Sequence, residues 1–457
     1  MEQTWTEALA IEQRVQEIVY EQETTGVVFD RDRASFLMHT VREKLLELYR
    51  EIRPHLHPVY TKWSSVVKVY KADGEYTKRY LNLGIEATGS FCRVDWVEPD
   101  IGKRLLVIKQ LKELGWEPND KELTDKGTPR LTIDAQPVES LEKIEGIGKP
   151  LSLYYKYKHR LSQIQGFYKH LYQNKDVIDH DEWRISAGLD PLGTNTHRAT
   201  HRRVVNIPKA ASYVLLGRQM RGLFTIPKGP LWGPVRERRP YRMIGTDAAG
   251  LELRVLAHYI NDDEYTKEIT DGDAHSRHQE MAGLPTRDDA KTFLYAFMYG
   301  AGDAKIGSII GSDAKAGKAI KARFLRANPK LDSLIQGVTR KAESGSVMAI
   351  DGRLIHMRRN NGRPMVHKAL NTLLQSSGSI LVKYGMVYLN DRIEALGLKT
   401  KQTIFYHDEL ALQVPIEEVD IMKELCLQWM EVAGKHLECK CPLASDSNVG
   451  LNWGDIH

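Results

Sequence analysis

The chain has 457 residues, of which 42% are hydrophobic and 27% charged, with a formal net charge of +5. This composition is typical of a globular protein with roughly two to four domain-sized units, and the mild positive charge permits a polyanionic partner without requiring one. Four cysteines exclude a disulfide-rich secreted scaffold, and no apolar run reaches the ~18 residues of a membrane-spanning helix. Acidic residues near the N-terminus argue against a signal peptide, so we expect a cytoplasmic protein without a membrane partner.

The N-terminal part of the chain predicts helices interrupted by a small β segment. Apolar residues recur at helical spacing from Glu7 to Tyr20, and Asp30 is placed to cap the helix that follows. From Val59 to Pro99 the pattern changes to short strand-like runs, among them residues 80–81, with Asp73-Gly74 as a hairpin turn. The aromatic and lysine side chains of this insertion suit contact with a partner, and a purely structural insertion is an equally good interpretation.

Two later segments combine basic and other polar residues. The stretch from Lys149 to Lys175 is predicted to be a helix in which lysine and arginine alternate with tyrosine, a mixture that suits a nucleic-acid backbone. A solvated helix explains that segment equally well. The loop from Gly193 to Pro208 carries three arginines, including Arg198, whose rigid donor fork can reach phosphates or groove edges.

Acidic residues stand at the ends of two predicted strands that are far apart in the chain. The run from Met243 to Thr246 reads as a buried strand that ends at Asp247, directly before a helix. The segment from Thr403 to Val414 reads as two strands flanking Asp408 and its acidic neighbour. Carboxylates fixed at strand ends can hold magnesium ions together with substrate phosphates. Exposed acids in an ordinary turn are the alternative for the second segment.

The stretch from Arg287 to Gly302 predicts a helix with two different faces. Arg287, Lys291, Tyr295 and Tyr299 recur every four residues and so form one cationic and aromatic stripe. Phenylalanine, leucine and methionine side chains lie largely on the opposite side, where they can pack into a core. Such a stripe suits a ligand with phosphates at one end and a flat ring at the other, although a solvated edge is the simpler interpretation of the helix alone. Together with the two acids, it indicates template-directed nucleotide transfer.

Three motifs now reveal a resemblance. DAAGLEL (Asp247 to Leu253), RDDAKTFLYAFMYG (Arg287 to Gly300) and YHDEL (Tyr406 to Leu410) resemble motifs A, B and C of the family A DNA polymerases, the DNA polymerase I family. Within that family the chain is most similar to the replicative polymerases of T-odd podovirus-type phages, from about Thr196 to the end. The resemblance implies an α/β (α+β) fold with the right-hand arrangement of palm, fingers and thumb. It implies a DNA polymerase of phage genome replication.

The resemblance also implies domain boundaries. We expect the thumb and its preceding helices over residues 1–184, with the β insertion at 59–99. The palm would comprise residues 185–260 and 364–457, and the fingers residues 261–363.

Roles for individual residues follow from the matched motifs. Asp247, Asp408 and the backbone carbonyl of Ala248 would bind two Mg²⁺ ions, or Mn²⁺ in their place, with Glu409 as an auxiliary acid near the primer end. Lys291 would also protonate the pyrophosphate leaving group.

The remaining roles concern the nucleotide and the DNA. The expected triphosphate-binding residues are Arg287, Lys291 and His275. Tyr295 would stack near the sugar and base, while Glu252, bonded to Tyr299, would exclude a ribose hydroxyl. The residues expected to contact the end of the primer-template are Arg198, Asn371, Gln375 and His407.

Partners and alternatives complete the expectations. Primer-template DNA and deoxynucleoside triphosphates are the expected ligands. The phage polymerases carry an upstream 3′–5′ exonuclease, which this sequence does not show, so we expect no proofreading from this chain and a separate exonuclease as a possible partner. Their thumb insertion is larger and binds thioredoxin; the shorter insertion here argues for a different processivity factor. An inactive DNA-binding subunit and a single-subunit RNA polymerase are the alternatives, the second disfavoured by Glu252.

Overall fold

The computed structural model describes residues 2–62, 66–92, 94–97, 99–124, 126–133, 136–173, 182–227 and 241–457. The chain forms two compact units, one comprising Ala34–Gly166 and the other Met1–Arg33 together with Phe167–His457. Helices and sheets are mixed throughout, as the α/β (α+β) prediction requires. Across these ranges, none of the helices combines the length and the apolar character that crossing a membrane would take.

The N-terminal segment contains two long helices separated by a short strand: α1 (Glu2–Thr25), β1 (Val27–Phe29) and α2 (Arg31–Ile52). Asp30 Oδ1 accepts a hydrogen bond from the backbone N–H of Arg33 at 2.9 Å, so the predicted cap of the second helix is confirmed.

The smaller unit contains most of α2 and the following α-helices and strands: β2 (Val59–Lys62), α3 (Lys78–Leu81), β3 (Val94–Val97), α4 (Arg104–Glu113), β4 (Thr132–Ile133), β5 (Gln136–Pro137) and nearly all of α5 (Gly148–Tyr168). Strands β2 and β3 pair in antiparallel fashion at the two ends of the insertion. Between these strands, the prediction of a strand at residues 80–81 is wrong. The Thr77 hydroxyl accepts a hydrogen bond from Tyr80 N at 3.2 Å and so caps the short helix α3 at this point.

The larger unit first adds small strands and then a series of helices: β6 (Leu171–Gln173), β7 (Trp183–Ile185), β8 (Leu189–Asp190), β9 (Thr200–His201), α6 (Gly217–Arg221), β10 (Phe224–Thr225), β11 (Tyr241–Ala248), α7 (Leu251–Ile260), α8 (Asp263–Asp271), α9 (Ala274–Ala282), α10 (Arg287–Met298), α11 (Asp303–Ile309), α12 (Ala314–Ala327) and α13 (Pro329–Ala342).

It closes with two small hairpins and a set of longer elements: β12 (Ser346–Met348), β13 (Leu354–His356), β14 (Arg359–Asn360), β15 (Arg363–Pro364), α14 (Ala369–Ala395), β16 (Lys401–Tyr406), β17 (Glu409–Pro415), α15 (Val419–His436) and β18 (Ser445–Gly450).

A four-stranded antiparallel sheet, in the order β16-β17-β11-β18, forms the platform of the larger unit. Strand β11 lies in the interior of this sheet, with Asp247 opposite Glu409 on one side and opposite Asp446 on the other. Helix α15 packs against β11, and the indole N–H of Trp429 donates to the Thr246 hydroxyl at 2.9 Å in the core. The last residues of β11 are therefore held rigidly by strands on both sides and by a helix.

Helix α10 is fixed by aromatic packing on its apolar side. Phe293 and Phe297 both meet Phe324 of α12 edge-on, with ring centroids 5.1 and 5.3 Å apart. Thr286 caps the helix by accepting a hydrogen bond from Asp289 N at 3.0 Å. The predicted division of this helix into a buried apolar side and a cationic, aromatic side is confirmed.

A buried ionic network joins α1 to α14. Lys383 is fully buried, and its ammonium donates to both oxygens of Glu12 at 2.9 and 2.7 Å. Arg353 donates to Glu12 at 2.5 Å and to Asp351 at 2.7 Å, so two cations and two anions share one water-poor site. Burial lowers the pKa of Lys383, while its contact with Glu12 opposes that shift.

Removing one member of this network should destabilise the protein strongly. We expect Glu12→Ala to lower the free energy of unfolding by about 3–5 kcal/mol, because Lys383 would remain buried without its counter-charge. The double variant Glu12→Ala with Lys383→Met should recover most of that loss, since Arg353 keeps Asp351. Urea unfolding of the three proteins checks this; a loss below about 1 kcal/mol for the single variant would contradict it.

Candidate active site

The two predicted metal-binding acids meet at one end of the platform sheet. Asp247 is the penultimate residue of β11, and Asp408 lies in the two-residue turn between β16 and β17. The backbone N–H of Ala248 donates to the Asp408 carbonyl at 3.1 Å, which ties the turn to the end of β11. His407, the other turn residue, has a φ of 63°, a left-handed conformation that is uncommon for a residue with a side chain. Such strain is typical of turns that position functional groups.

The carboxylates repel each other in the absence of a cation. Burial and the charges of Asp408, Glu409 and Asp446 raise the pKa of Asp247 to about 7, even though its side chain still reaches solvent. Burial also raises the pKa of Asp408. Clustered, partly desolvated acids of this kind are stabilised by a divalent cation, which supplies the missing positive charge.

The donor set fits magnesium. Throughout the described ranges, no group of three or more His, Cys, Asp or Glu side chains converges in a way that could hold a metal ion by itself. Magnesium does not require such a cage, because it keeps several waters and takes one or two carboxylates together with substrate phosphates. Asp247, Asp408 and the adjoining backbone at Ala248 offer only hard oxygen ligands, which suits Mg²⁺ or Mn²⁺ better than a soft metal.

A recess beside Asp408 gathers several of the predicted residues. Its lining includes Arg198, Glu252, Gln375, His407 and Asp408, contributed by the loop before β9, helices α7 and α14, and the β16–β17 turn. We call it the Asp408 recess. The acidic turn is thus surrounded by residues from three other parts of the chain.

A second recess, which we call the Asn371 recess, has a volume of about 280 Å³ and shares Arg198, Gln375 and His407 with the first. Asn371 also lines it, so the structure brings together all four residues predicted to contact DNA. Two cations that the sequence did not single out, Arg358 and Lys368, lie in the same lining. Asn195 Oδ1 accepts a hydrogen bond from Arg358 Nε at 3.2 Å and holds this arginine in place.

The predicted nucleotide-binding residues lie on α9 and α10. Arg287 and Lys291 are exposed on the first turns of α10, and Tyr295 is half-buried further along. His275, near the start of α9, has its ring centroid 6.5 Å from that of Tyr295. The charges of Arg287 and Lys291 help to lower the pKa of His275, after the larger effect of its burial.

A hydrogen bond connects the end of this helix to Glu252, which lines the Asp408 recess. The Tyr299 hydroxyl donates to both carboxylate oxygens of Glu252, at 2.8 and 2.9 Å, as the sequence predicted. Burial raises the pKa of Glu252, and the negative charge of Glu252 and of Asp408 contributes to raising that of Tyr295. The aromatic end of the α10 stripe is therefore close to the acidic end of the sheet.

Glu409 points into a buried cluster. Its Oε1 accepts a hydrogen bond from the Trp453 indole at 2.5 Å and lies 2.9 Å from His457 Nε2, and Arg221 Nη1 is 3.7 Å from Oε2. The Arg221 guanidinium also stacks over the Trp453 ring at 4.5 Å. These contacts anchor the end of the chain to the sheet, and the auxiliary role near the primer end stays a prediction.

The family model for DNA polymerase family A matches residues 105–455. The chain belongs to DNA polymerase family A. Among its relatives, the DNA-directed DNA polymerase of Escherichia phage Phieco32 is 36% identical over 65% of this chain and 58% of its own length. The DNA-directed DNA polymerase of Escherichia phage T7 is 32% identical over 77% of this chain and 52% of its own length. This family A chain thus spans between half and three-fifths of the length of these two relatives.

A solved structure shares the fold. The POL domain of Pol1 from M. smegmatis, in complex with DNA primer-template and dNTP, matches 97% of this chain and 70% of that chain with a TM-score of 0.73. Sequence identity is 18%, so the likeness establishes the fold and nothing finer. The predicted family and its right-hand polymerase fold are both confirmed.

Several residues of this family A site escaped the sequence analysis. Asp446 lies opposite Asp247 and helps to raise its pKa, but β18 is a polar run (SDSNVG) without the alternation that predicts a strand. Trp453 and His457 belong to the terminal NWGDIH, whose aromatic and imidazole side chains were the available signal. Arg221 lies in a short helix that gave no periodic pattern.

The pKa of Asp247 predicts a pH-dependent stability. A carboxyl whose pKa is raised on folding, here from 3.8 to about 7, keeps its proton in the folded state while the unfolded chain has lost it. Stability should therefore fall as the pH rises from about 4 to about 7 in metal-free protein. We expect Asp247→Asn to reduce this fall and to raise the melting temperature near pH 7.5 by on the order of 1–3 °C.

Thermal unfolding in a chelator, followed by millimolar Mg²⁺, measures the effect. Mg²⁺ should raise the melting temperature of the wild type more than that of Asp247→Asn. Identical pH and Mg²⁺ responses in the two proteins would contradict the explanation.

Proposed function

We propose that this chain is a template-directed DNA polymerase that adds deoxynucleotides to a primer 3′ end in phage genome replication. The primer 3′-hydroxyl attacks the α-phosphate of a deoxynucleoside triphosphate, and pyrophosphate leaves. The observation that carries this proposal is that Asp408, tied to the end of β11 beside Asp247, shares a recess with Glu252, which accepts a hydrogen bond from Tyr299 at the end of the cationic helix. Family membership supports the same reaction.

The two exposed cations of α10 hold the triphosphate in this proposal. Arg287 and Lys291 lie one turn apart on one side of α10, and their positive charge offsets the negative charge of the phosphates. His275 faces the same region and donates from its ring. Lys291 Nζ gives a proton to the pyrophosphate as it departs.

Asp247, Asp408 and the Ala248 carbonyl would hold two Mg²⁺ ions, or Mn²⁺ in their place. When bound, these ions stabilise the charge on the attacking and leaving oxygens of an in-line displacement. The protein's own contribution is rigidity, because sheet pairing and the Ala248–Asp408 hydrogen bond set the positions of both carboxylates before substrate arrives.

Glu252 selects deoxyribose in this proposal. Its carboxylate is held by the Tyr299 hydroxyl in the Asp408 recess, where a 2′-hydroxyl would have to enter. A ribonucleotide would then meet a filled and negatively charged site. Tyr295, half-buried beside Glu252, stacks near the sugar and base.

Arg198, Asn371, Gln375 and His407 contact the end of the primer-template. Their shared position in the Asn371 recess supports this role, and the additional charges of Arg358 and Lys368 suit a phosphate backbone.

The domain boundaries follow the same family pattern. We assign residues 185–260 and 364–457 to the palm, 261–363 to the fingers and 1–184 to the thumb and its preceding helices. The compact unit Ala34–Gly166 falls within the last of these ranges, while α1 packs on α14 in the other unit. Helix α1 therefore belongs to the same compact unit as the elements assigned to the palm.

Accessory partners stay predictions. The insertion at 59–99 exposes Tyr70, Tyr76 and Leu81, which suits a processivity factor docking there. A separate exonuclease as a partner and a location in the host cytoplasm are further proposals.

The proposed chemistry predicts the effect of Asp408→Asn. We expect primer extension with Mg²⁺ to fall by on the order of 10³-fold, because several kcal/mol of charge stabilisation at the reacting phosphate would be lost. Affinity for primer-template should stay within about twofold, since the removed charge would not attract DNA. Gel analysis of single-nucleotide extension and fluorescence anisotropy with labelled DNA measure the two quantities.

Asp420→Asn is the matched control, because Asp420 is exposed on α15 and has the same charge. It should extend primers like the wild type. Extension by Asp408→Asn within about tenfold of the wild type would contradict the proposal, and a wild type that binds DNA without extending it would favour an inactive subunit.

Sugar selection predicts the effect of Glu252→Ala. We expect the preference for a deoxynucleotide over the matching ribonucleotide, measured as a ratio of kcat/KM values, to fall by about 10- to 100-fold. Tyr299→Phe should give a smaller loss, because the carboxylate remains but is no longer held by the hydroxyl. An unchanged ratio in Glu252→Ala would exclude this role.

A further inference from the structure

Asp273 connects the starts of α9 and α10 through a single carboxylate. It immediately precedes α9 and caps it, accepting hydrogen bonds from His275 N at 3.2 Å, Ser276 N at 3.4 Å and the Ser276 hydroxyl at 2.6 Å. The same carboxylate accepts two more from Arg287, from Nε to Oδ2 at 2.9 Å and from Nη2 to Oδ1 at 3.0 Å. Residues 14 positions apart in the chain are thus joined by a bidentate ion pair.

Asp273 joins two residues, Arg287 and His275, to which we assign triphosphate binding. Arg287 is the first residue of α10, and His275 is the second of α9. A bidentate carboxylate fixes the plane of a guanidinium as well as its position. With Nε and Nη2 occupied, Nη1 of Arg287 has no hydrogen-bond partner among the described residues and can donate to a ligand.

Arg287 needs such a partner because it is otherwise weakly held. Its side chain is 52% exposed, so few neighbours limit its rotamers. A long, freely rotating side chain must be ordered when a ligand binds, and this ordering weakens the affinity. The ion pair with Asp273 orders the guanidinium beforehand.

We propose that Asp273 is a positioning residue for nucleotide binding, which holds the Arg287 guanidinium and the start of the His275 helix ready for a triphosphate. This inference rests on the proposed function of the same surface. Asp273 does not touch the nucleotide in this arrangement; it acts through Arg287.

The negative charge of Asp273 also repels a triphosphate, but this repulsion is weaker than the gain from ordering Arg287. A carboxylate near a triphosphate repels it, but here each oxygen is shared between the arginine and donors at the α9 start, which offset the charge. The pair is also half-exposed, so water and salt screen its longer-range repulsion. Its partners hold the pKa of Asp273 far below the usual range, so the carboxylate stays ionised under working conditions.

The test compares Asp273→Asn, Arg287→Ala and the double variant. Asparagine can still cap α9 through its side-chain oxygen, but its amide NH₂ cannot accept the second bond from the arginine fork. We expect Asp273→Asn to raise the KM for a deoxynucleotide about 3- to 10-fold, with kcat and DNA affinity within about twofold. In the Arg287→Ala background the same change should have no further effect.

Ser276→Ala is the control for the cap, because it removes the 2.6 Å contact and leaves the arginine pair intact. Its KM should stay within about twofold of the wild type. Arg287→Lys provides a second route should Asp273→Asn fold poorly: it keeps the charge but loses the fork, and should raise KM by a similar factor.

Binding of inorganic tripolyphosphate, measured by calorimetry, separates this inference from the polymerase assignment, because it requires no extension of a primer. Asp273→Asn should weaken that binding by the same factor, also if the wild type proves inactive. An unchanged or lower KM, unchanged tripolyphosphate binding, or an equal effect in the Arg287→Ala background would overturn the inference.

Discussion

The site depends on holding two carboxylates together against their mutual repulsion. Asp247 ends the interior strand of the sheet, and Asp408 sits in the turn that leads into the neighbouring strand. Strand pairing on both sides of β11 and the hydrogen bond from Ala248 N to Asp408 O fix this arrangement. Burial and the neighbouring acids raise the pKa of Asp247, and a bound divalent cation would offset this repulsion.

The three consecutive residues His407, Asp408 and Glu409 have side chains in different environments. His407 adopts a left-handed backbone conformation and joins the lining of both recesses. Asp408 faces the Asp408 recess, whereas Glu409 turns inward to Trp453 and His457. The tight turn and the start of β17 therefore make an acidic pair in the sequence into one group for the site and one for the core.

Contacts on both faces of helix α10 fix its orientation. Phe293 and Phe297 pack against Phe324, so the helix cannot rotate about its axis without breaking that packing. Tyr299 then reaches Glu252. Asp273 adds the same kind of constraint at the other end of the helix, through Arg287.

The sequence by itself determined the family, the mixed fold, the two-faced α10 and the two acids that the fold brings together, because short motifs and helical periodicity are local properties of the chain. It also gave the Tyr299–Glu252 pair, through the family resemblance. Only the tertiary structure decided which residues of distant segments lie next to each other. Asp446, Arg221, His457 and Asp273 reach the site through strand register and ion pairs between distant segments, and no local pattern encodes such pairings. The helix at residues 78–81 was missed for a related reason: four residues are too few for periodicity, and the cap from Thr77 decides their conformation.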